Sequence, residues 1–184
     1  MRDDVRQEVQ TISALDELET YHLSSVLTWI DSGAELCRTA KPATPAKHLV
    51  SYFVLIDANS LLLVDHRRAG LWLPTGGHVE PGEHPRQTAL REAREELGIT
   101  PAFLLETPLM LTCTEVREAA TKRAATKHTD VSLWYVMQGE KAKGLEPDMS
   151  EFAEVRWVDV ADIPYERSDP HMRRFVTKLR AVLE

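Results

Sequence analysis

Between residues 76 and 98 the chain places two adjacent glycines, Gly76 and Gly77, ahead of Glu83, Arg91, Glu92, Glu95, Glu96 and Gly98. On a helical wheel Glu92, Glu95 and Glu96 fall within a sector of about 100 degrees, with Leu90, Ala93 and Leu97 on the other side. One face is acidic and the other apolar. Like charges three and four residues apart repel by a few tenths of a kcal/mol in an exposed helix. A hard cation such as Mg²⁺ or Mn²⁺ reverses that cost, because it prefers carboxylate oxygens and keeps waters free for phosphate oxygens. A cation held on such a face could meet phosphate groups, whose chemistry depends on positioning and on neutralising charge. The competing account is a solvated helix face, the usual fate of a run of Glu and Arg.

The whole segment decides between the two. GHVEPGEHPRQTALREAREELGI, from Gly77 to Ile99, resembles the Nudix box, G-x5-E-x7-R-E-U-x-E-E-x-G-U with U a bulky apolar residue, at every fixed position. Seven such positions coincide by chance on the order of once in a million chains of this length. Ala93 is smaller than the aliphatic usual at its site. The resemblance extends over about residues 46 to 165 and implies an α/β/α sandwich with a mixed sheet. It also implies that Glu92, Glu96 and the Gly76 carbonyl hold the metal, that Glu95 is a ligand or the base acting on water, and that Arg91 pairs with Glu83. Gly77, Glu83, Arg91 and Gly98 are expected to be structural supports.

Outside the box, Glu115, Glu118, Glu151 and Glu154 are candidates for a further ligand or base, and one sequence does not separate them. Arg67, Arg68 and His128 are candidates for contact with substrate phosphates, as is the basic group Lys122, Arg123 and Lys127. His128-Thr129-Asp130 opens a strand and could point into the pocket or cap a hairpin. Trp72, Trp134 and Tyr135 could stack on a base, although aromatic residues in strands are more often core.

The elements that must position these residues follow from periodicity. Residues 1 to about 37 read as one long helix or a helical hairpin, with Ser13 as an N-cap and Leu23, Val26, Leu27, Ile30 and Ala34 at helical spacing. With Tyr21 and Trp29 they are expected to pack at the domain edge or at a contact between two copies of the chain. Ala40 to Ala46 carries two prolines and reads as a linker. This divides the chain into an N-terminal helical extension with linker, 1–45, and a catalytic domain, 46–184.

His48–Asp57 and Leu61–Val64 suggest a hairpin across Ala58-Asn59-Ser60. Leu71–Leu73 is a short strand, and a loop leads to a helix from about His84 to Leu97, stopped at Gly98. Phe103–Val116, Val131–Met137 and Val155–Val158 read as strands, 117–127 as an exposed loop, and 170–183 as an amphipathic helix packed on the sheet.

The 184 residues and 43% hydrophobic content suffice for a core without disulfide or zinc staples. Cys37 and Cys113 are the two cysteines, without zinc-ligand spacing, and read as buried thiols. A formal charge of -7 argues against a nucleic-acid polymer as partner. No stretch suggests a signal or a membrane span, so a cytoplasmic protein is expected.

The function the resemblance implies is metal-dependent hydrolysis of the diphosphate linkage of a nucleoside diphosphate derivative, through attack of water on phosphorus. Two other readings stand beside it: a catalytically silent nucleotide sensor on the same fold, and an isoprenoid diphosphate isomerase served by Cys113 and Glu115. Relatives that cleave NADH carry a downstream SQPWPFPxS-like array, which this chain lacks.

Overall fold

The structure, a computed structural model, describes residues 1–41, 44–117 and 127–183. A helical hairpin leads the chain: α1 (Arg2–Thr11) and α2 (Glu17–Asp31). Ser13 does not cap the second helix. Asp16 does, its carboxylate accepting the Glu19 amide at 2.9 Å, so the helix starts a turn later than its composition suggests. Strands β1 (Lys47–Asp57), β2 (Ser60–His66), β3 (Leu71–Leu73) and β4 (Thr75–His78) follow, then α3 (Pro85–Leu97). Beyond it come β5 (Met110–Arg117), β6 (Lys127–Gln138), β7 (Phe152–Asp159) and α4 (Met172–Leu183).

Among the described residues the strands form one seven-stranded sheet with the order β3-β2-β1-β6-β5; β4 also pairs with β1, and β7 with β2. The sheet is mixed, because β1 runs parallel to β6 while its pairings with β2 and β4 are antiparallel. β1 meets β2 only at Ile56 and Asp57, and the edge it leaves open from Val50 to Phe53 receives β4. The glycine pair thus lies in a strand rather than in the loop its composition suggests.

Two apolar cores sandwich the sheet. One joins Val5, Val9, Val26 and Ile30 of the N-terminal helices to Ala89, Ala93 and Leu97 of α3 and to Leu49, Phe53 and Leu133 of the sheet. The other seats Met172, Phe175 and Leu179 of α4 on Val54, Leu63, Trp134 and Val136. The hairpin is therefore a working layer of the sandwich. It is also tied to α4 by a buried pair, Glu19 and Lys178 at 2.8 Å. Trp134 and Tyr135 are fully buried, with the indole N–H donating to Thr112 Oγ1 and the phenol donating to Glu8. Trp72 is buried beneath Arg156. These rings serve the core and its edges.

The strand expected from Phe103 begins only at Met110. Pro108 interrupts the segment, and Phe103 contributes a single bridge to Met137. Glu118, Lys122 and Arg123 lie outside the described residues. Among those described, no helix is long and apolar enough to cross a membrane.

Candidate active site

The N-terminus of α3 is set by His84, whose Nδ1 accepts the Arg86 amide while Gln87 Oε1 accepts the His84 amide, with Pro85 in the first turn. Its end is set by Gly98, at φ 69°. Between them Ala89 and Ala93 are fully buried, so small side chains bring α3 close to the sheet. Ser51 of β1 fastens the entry, donating to the Pro85 carbonyl at 2.8 Å.

That close approach also dictates the two glycines. At Gly76, φ is 147° and a Cβ would drive into the Ser51 carbonyl and the Tyr52 backbone; at Gly77 it would run into the Glu92 carboxylate. Strand β4 and the acidic face of α3 are therefore in direct contact. Glu96 Oε2 accepts the Gly76 amide at 3.1 Å.

Arg91 organises the rest. Its Nε and Nη2 fork onto the two oxygens of Glu83 at 3.0 and 3.1 Å, and Nη2 also donates to the His78 carbonyl at 3.2 Å. Nη1 reaches Glu92 at 2.8 Å and Glu95 at 3.0 Å. Burial opposes ionisation of Glu83, but the hydrogen bonds from Arg91 and Thr88 outweigh it and hold its carboxyl below the ordinary range.

The three carboxylates differ sharply in setting. The Glu95 side chain is 59% exposed, whereas Glu92 is mostly covered. Glu96 is only 8% exposed. Burial, then the charge of Glu92, pushes the Glu96 carboxyl up to about 9, with Glu151 and Asp148 adding to the effect. Burial likewise raises Glu92, opposed by Arg91 and reinforced by Glu95 and Glu151. Raised that far, Glu96 ionises at neutral pH only if a cation compensates it, and an oxygen-rich donor set of this kind fits a hard divalent ion.

Among the described carboxylates left open by the sequence, Glu151 is the one whose charge acts on Glu92 and Glu96. It sits on a turn anchored to α3, where the Asp148 amide donates to the Glu96 carbonyl. Arg67 holds the same turn, its amide donating to the Glu151 carbonyl and its Nε to the Met149 carbonyl. Glu115 is paired with Lys127, and Glu154 with Arg156, both on exposed strand positions. Arg68 lies in the exposed turn after β2, its amide bonded to His66 Nδ1. Asp148 was not singled out by type or spacing; the turn-forming run Pro147 to Ser150 beside the candidate Glu151 was the available signal.

His128 is buried and stands beside Asp130, His48 and His78, away from the surface expected of a lone phosphate contact. Burial pushes the His78 imidazole down to about 4, helped by the Arg38 guanidinium. His48 is the second residue of β1 and His78 the last of β4, and neither position was marked by spacing in the chain. Cys37 is buried and Cys113 partly so, and burial raises both thiols.

The chain resembles known proteins in sequence and in fold. The family model described as NUDIX domain matches residues 47–179. A Bacillus subtilis (strain 168) protein named Uncharacterized Nudix hydrolase YvcI is 30% identical over 141 residues, covering 73% of this chain and 82% of that protein. An isopentenyl-diphosphate Delta-isomerase of Cereibacter sphaeroides is 33% identical over 141 residues, covering 73% of this chain and 75% of that protein. A crystal structure of a hydrolase of the NUDIX family from Clostridium perfringens is alike in fold, with a TM-score of 0.52 at 19% identity, covering 74% of this chain and 98% of that one.

Proposed function

This chain belongs to the Nudix hydrolase family, and from that premise we propose that it hydrolyses the diphosphate linkage of a nucleoside diphosphate derivative with the help of Mg²⁺ or Mn²⁺. The observation that carries the proposal is Glu96, a carboxylate buried against Glu92 and raised to about 9 at the foot of a concentrated negative field. A protein core tolerates that arrangement when a cation completes it.

Glu92, Glu96 and the Gly76 carbonyl would hold the ion, with Glu95 or Glu151 as a further donor. A divalent ion bound there supplies neutralisation of phosphate charge and a more acidic water. The chain's own residues do the rest. Glu95, exposed and held by a single Arg91 nitrogen, is free to swing toward the attacking water and take its proton, and Glu151 is the other candidate for that role. Arg91, locked on Glu83 and the His78 carbonyl, keeps Glu92 and β4 in register with one another. Glu96, bonded to the Gly76 amide, keeps the glycine strand and α3 at a fixed spacing.

The isomerase relative keeps a second reading in view. Against it, Cys113 packs toward the apolar core with its thiol raised by burial, and Glu115 lies on an exposed strand position beside Lys127. Incubating the protein with Mg²⁺ and a panel of nucleoside triphosphates, nucleotide sugars, dinucleotides and isopentenyl diphosphate separates the alternatives. Release of phosphate or pyrophosphate that falls by roughly a thousandfold in Glu96→Gln is the expected result. Nucleotide binding without release would favour a sensor, and rearranged isoprenoid without release an isomerase.

A further inference from the structure

We propose that His48, His78, His128 and Asp130 form a second cation site, one that takes a divalent transition metal of borderline softness such as Zn²⁺ or Co²⁺. None of the four belongs to the acidic face of α3, so the inference does not rest on the hydrolase reading.

The sheet builds the cluster from three strands. His48 of β1 lies directly across from Asp130 of β6 in the parallel register, His128 is two residues earlier on the same face of β6, and His78 ends β4 opposite Val50. One ligand atom from each of the four lies within 4.8 Å of all the others. A tetrahedral ion with ligands near 2.0–2.1 Å separates them by about 3.3 Å. His48 Nε2 and His128 Nε2 stand 3.2 and 3.3 Å from the same oxygen, Asp130 Oδ1, and His78 Nε2 stands 4.0 Å from it.

These are not hydrogen bonds. His48 Nε2 and Asp130 Oδ1 are buried without a hydrogen-bond partner despite their closeness. At the far side of the ring His48 Nδ1 is 2.8 Å from the Pro45 carbonyl, which only accepts, so Nδ1 carries a proton. Without a second proton or a cation, the lone pair of Nε2 faces a carboxylate oxygen 3.2 Å away. Two acceptors pressed together in a buried place are unfavourable unless something positive lies between them. A backbone carbonyl that fixes the tautomer and aims the other nitrogen inward is the usual outer support of a metal-binding histidine.

The His48 and His128 rings are stacked at 5.2 Å, and His48 and His78 lie 4.9 Å apart, so the three imidazoles surround one point. His78 Nε2 accepts from Arg38 Nη1 at 3.1 Å, and that contact must be released for His78 to serve as the fourth ligand. Three imidazoles with one carboxylate suit Zn²⁺, Co²⁺ or Fe²⁺ far better than Mg²⁺, which seeks an all-oxygen shell. The chain would thus sort two kinds of cation between neighbouring sites.

Titration of the chelator-treated full chain with Co²⁺, in excess Mg²⁺ to fill the acidic site, tests this. Wild type should develop the visible d–d bands of four-coordinate Co²⁺ with one ion per chain, and Zn²⁺ should bleach them. Glu96→Gln should retain the bands. His48→Gln and His128→Gln should bind more weakly by at least roughly tenfold, the low end of what even a change in the outer support costs. Asp130→Asn, nearly isosteric, should show the same loss with an unchanged near-ultraviolet circular dichroism spectrum, and it decides the matter if a histidine variant fails to fold. Absence of the bands in wild type would mean that a proton holds the cluster together and would overturn the proposal, as would a wild-type titration in the folded Asp130→Asn variant.

Discussion

At the scale of single residues, the most constrained atom is one that is absent. Gly77 has no Cβ because the Glu92 carboxylate occupies the place where one would stand. Gly77→Ala is expected to push that carboxylate aside and lower turnover by roughly a hundredfold, the cost of misplacing a reacting group by about an ångström, with the far-ultraviolet spectrum unchanged. Asp169 offers a pH test outside the box. Burial raises its carboxyl to about 6, partly offset by the hydrogen bond from the His171 amide. A folded value above the unfolded one means that the native state holds the extra proton, so this group's contribution to stability falls as pH rises from about 4 through 6. Asp169→Asn retains the acceptor and is expected to be more stable than wild type at pH 7 by up to about 3 kcal/mol, the difference vanishing below about pH 4 in parallel urea titrations. The box residues were legible from the chain because their spacing matches a helix turn. His48 and His78 were not, because what makes them neighbours is strand pairing, which a one-dimensional reading does not supply.

Between elements, the decisive contact is the buried pair joining α2 to α4. Lys178 Nζ meets Glu19 at 2.8 Å and the Ser13 carbonyl at 2.7 Å, while Glu19 also accepts the Leu15 amide. Lys178→Met strands a buried carboxylate and is expected to cost about 3–5 kcal/mol; in the Glu19→Gln/Lys178→Met double variant most of that cost should disappear, as chemical denaturation would measure. Elements with strong periodicity could be read directly: α3 and α4 lie where apolar spacing, a histidine-proline entry or a glycine stop indicate. Boundaries governed by competition could not. Asp16 outcompetes Ser13 because its carboxylate reaches the Glu19 amide, and β5 starts late because Pro108 interrupts the run before it. Strand β4 was missed because glycine is a poor strand former; it pairs because β1 diverges from β2 and leaves backbone groups to satisfy.

For the molecule as a whole, the N-terminal hairpin and the region matched by the family model share one core. Removal of residues 1–37 would take Val5, Val9, Ile12, Val26, Ile30, Leu36 and Cys37 out of the core they share with the sheet and α3. The truncated chain is expected to lose a cooperative thermal transition and to bind a hydrophobic dye, checked by scanning fluorimetry. The same unity bears on β1, which is bonded along one edge to β6 from Lys47 to Ile56 and along the other to β4 from Val50 to Phe53. Sliding this strand by a single residue would turn His48 to the opposite surface and would also pull Ser51 and Tyr52 away from Gly76. Misregistration would therefore abolish the imidazole cluster and the glycine–glutamate contact together, leaving refolded preparations a mixture of intact and wholly inert molecules with no half-competent species between.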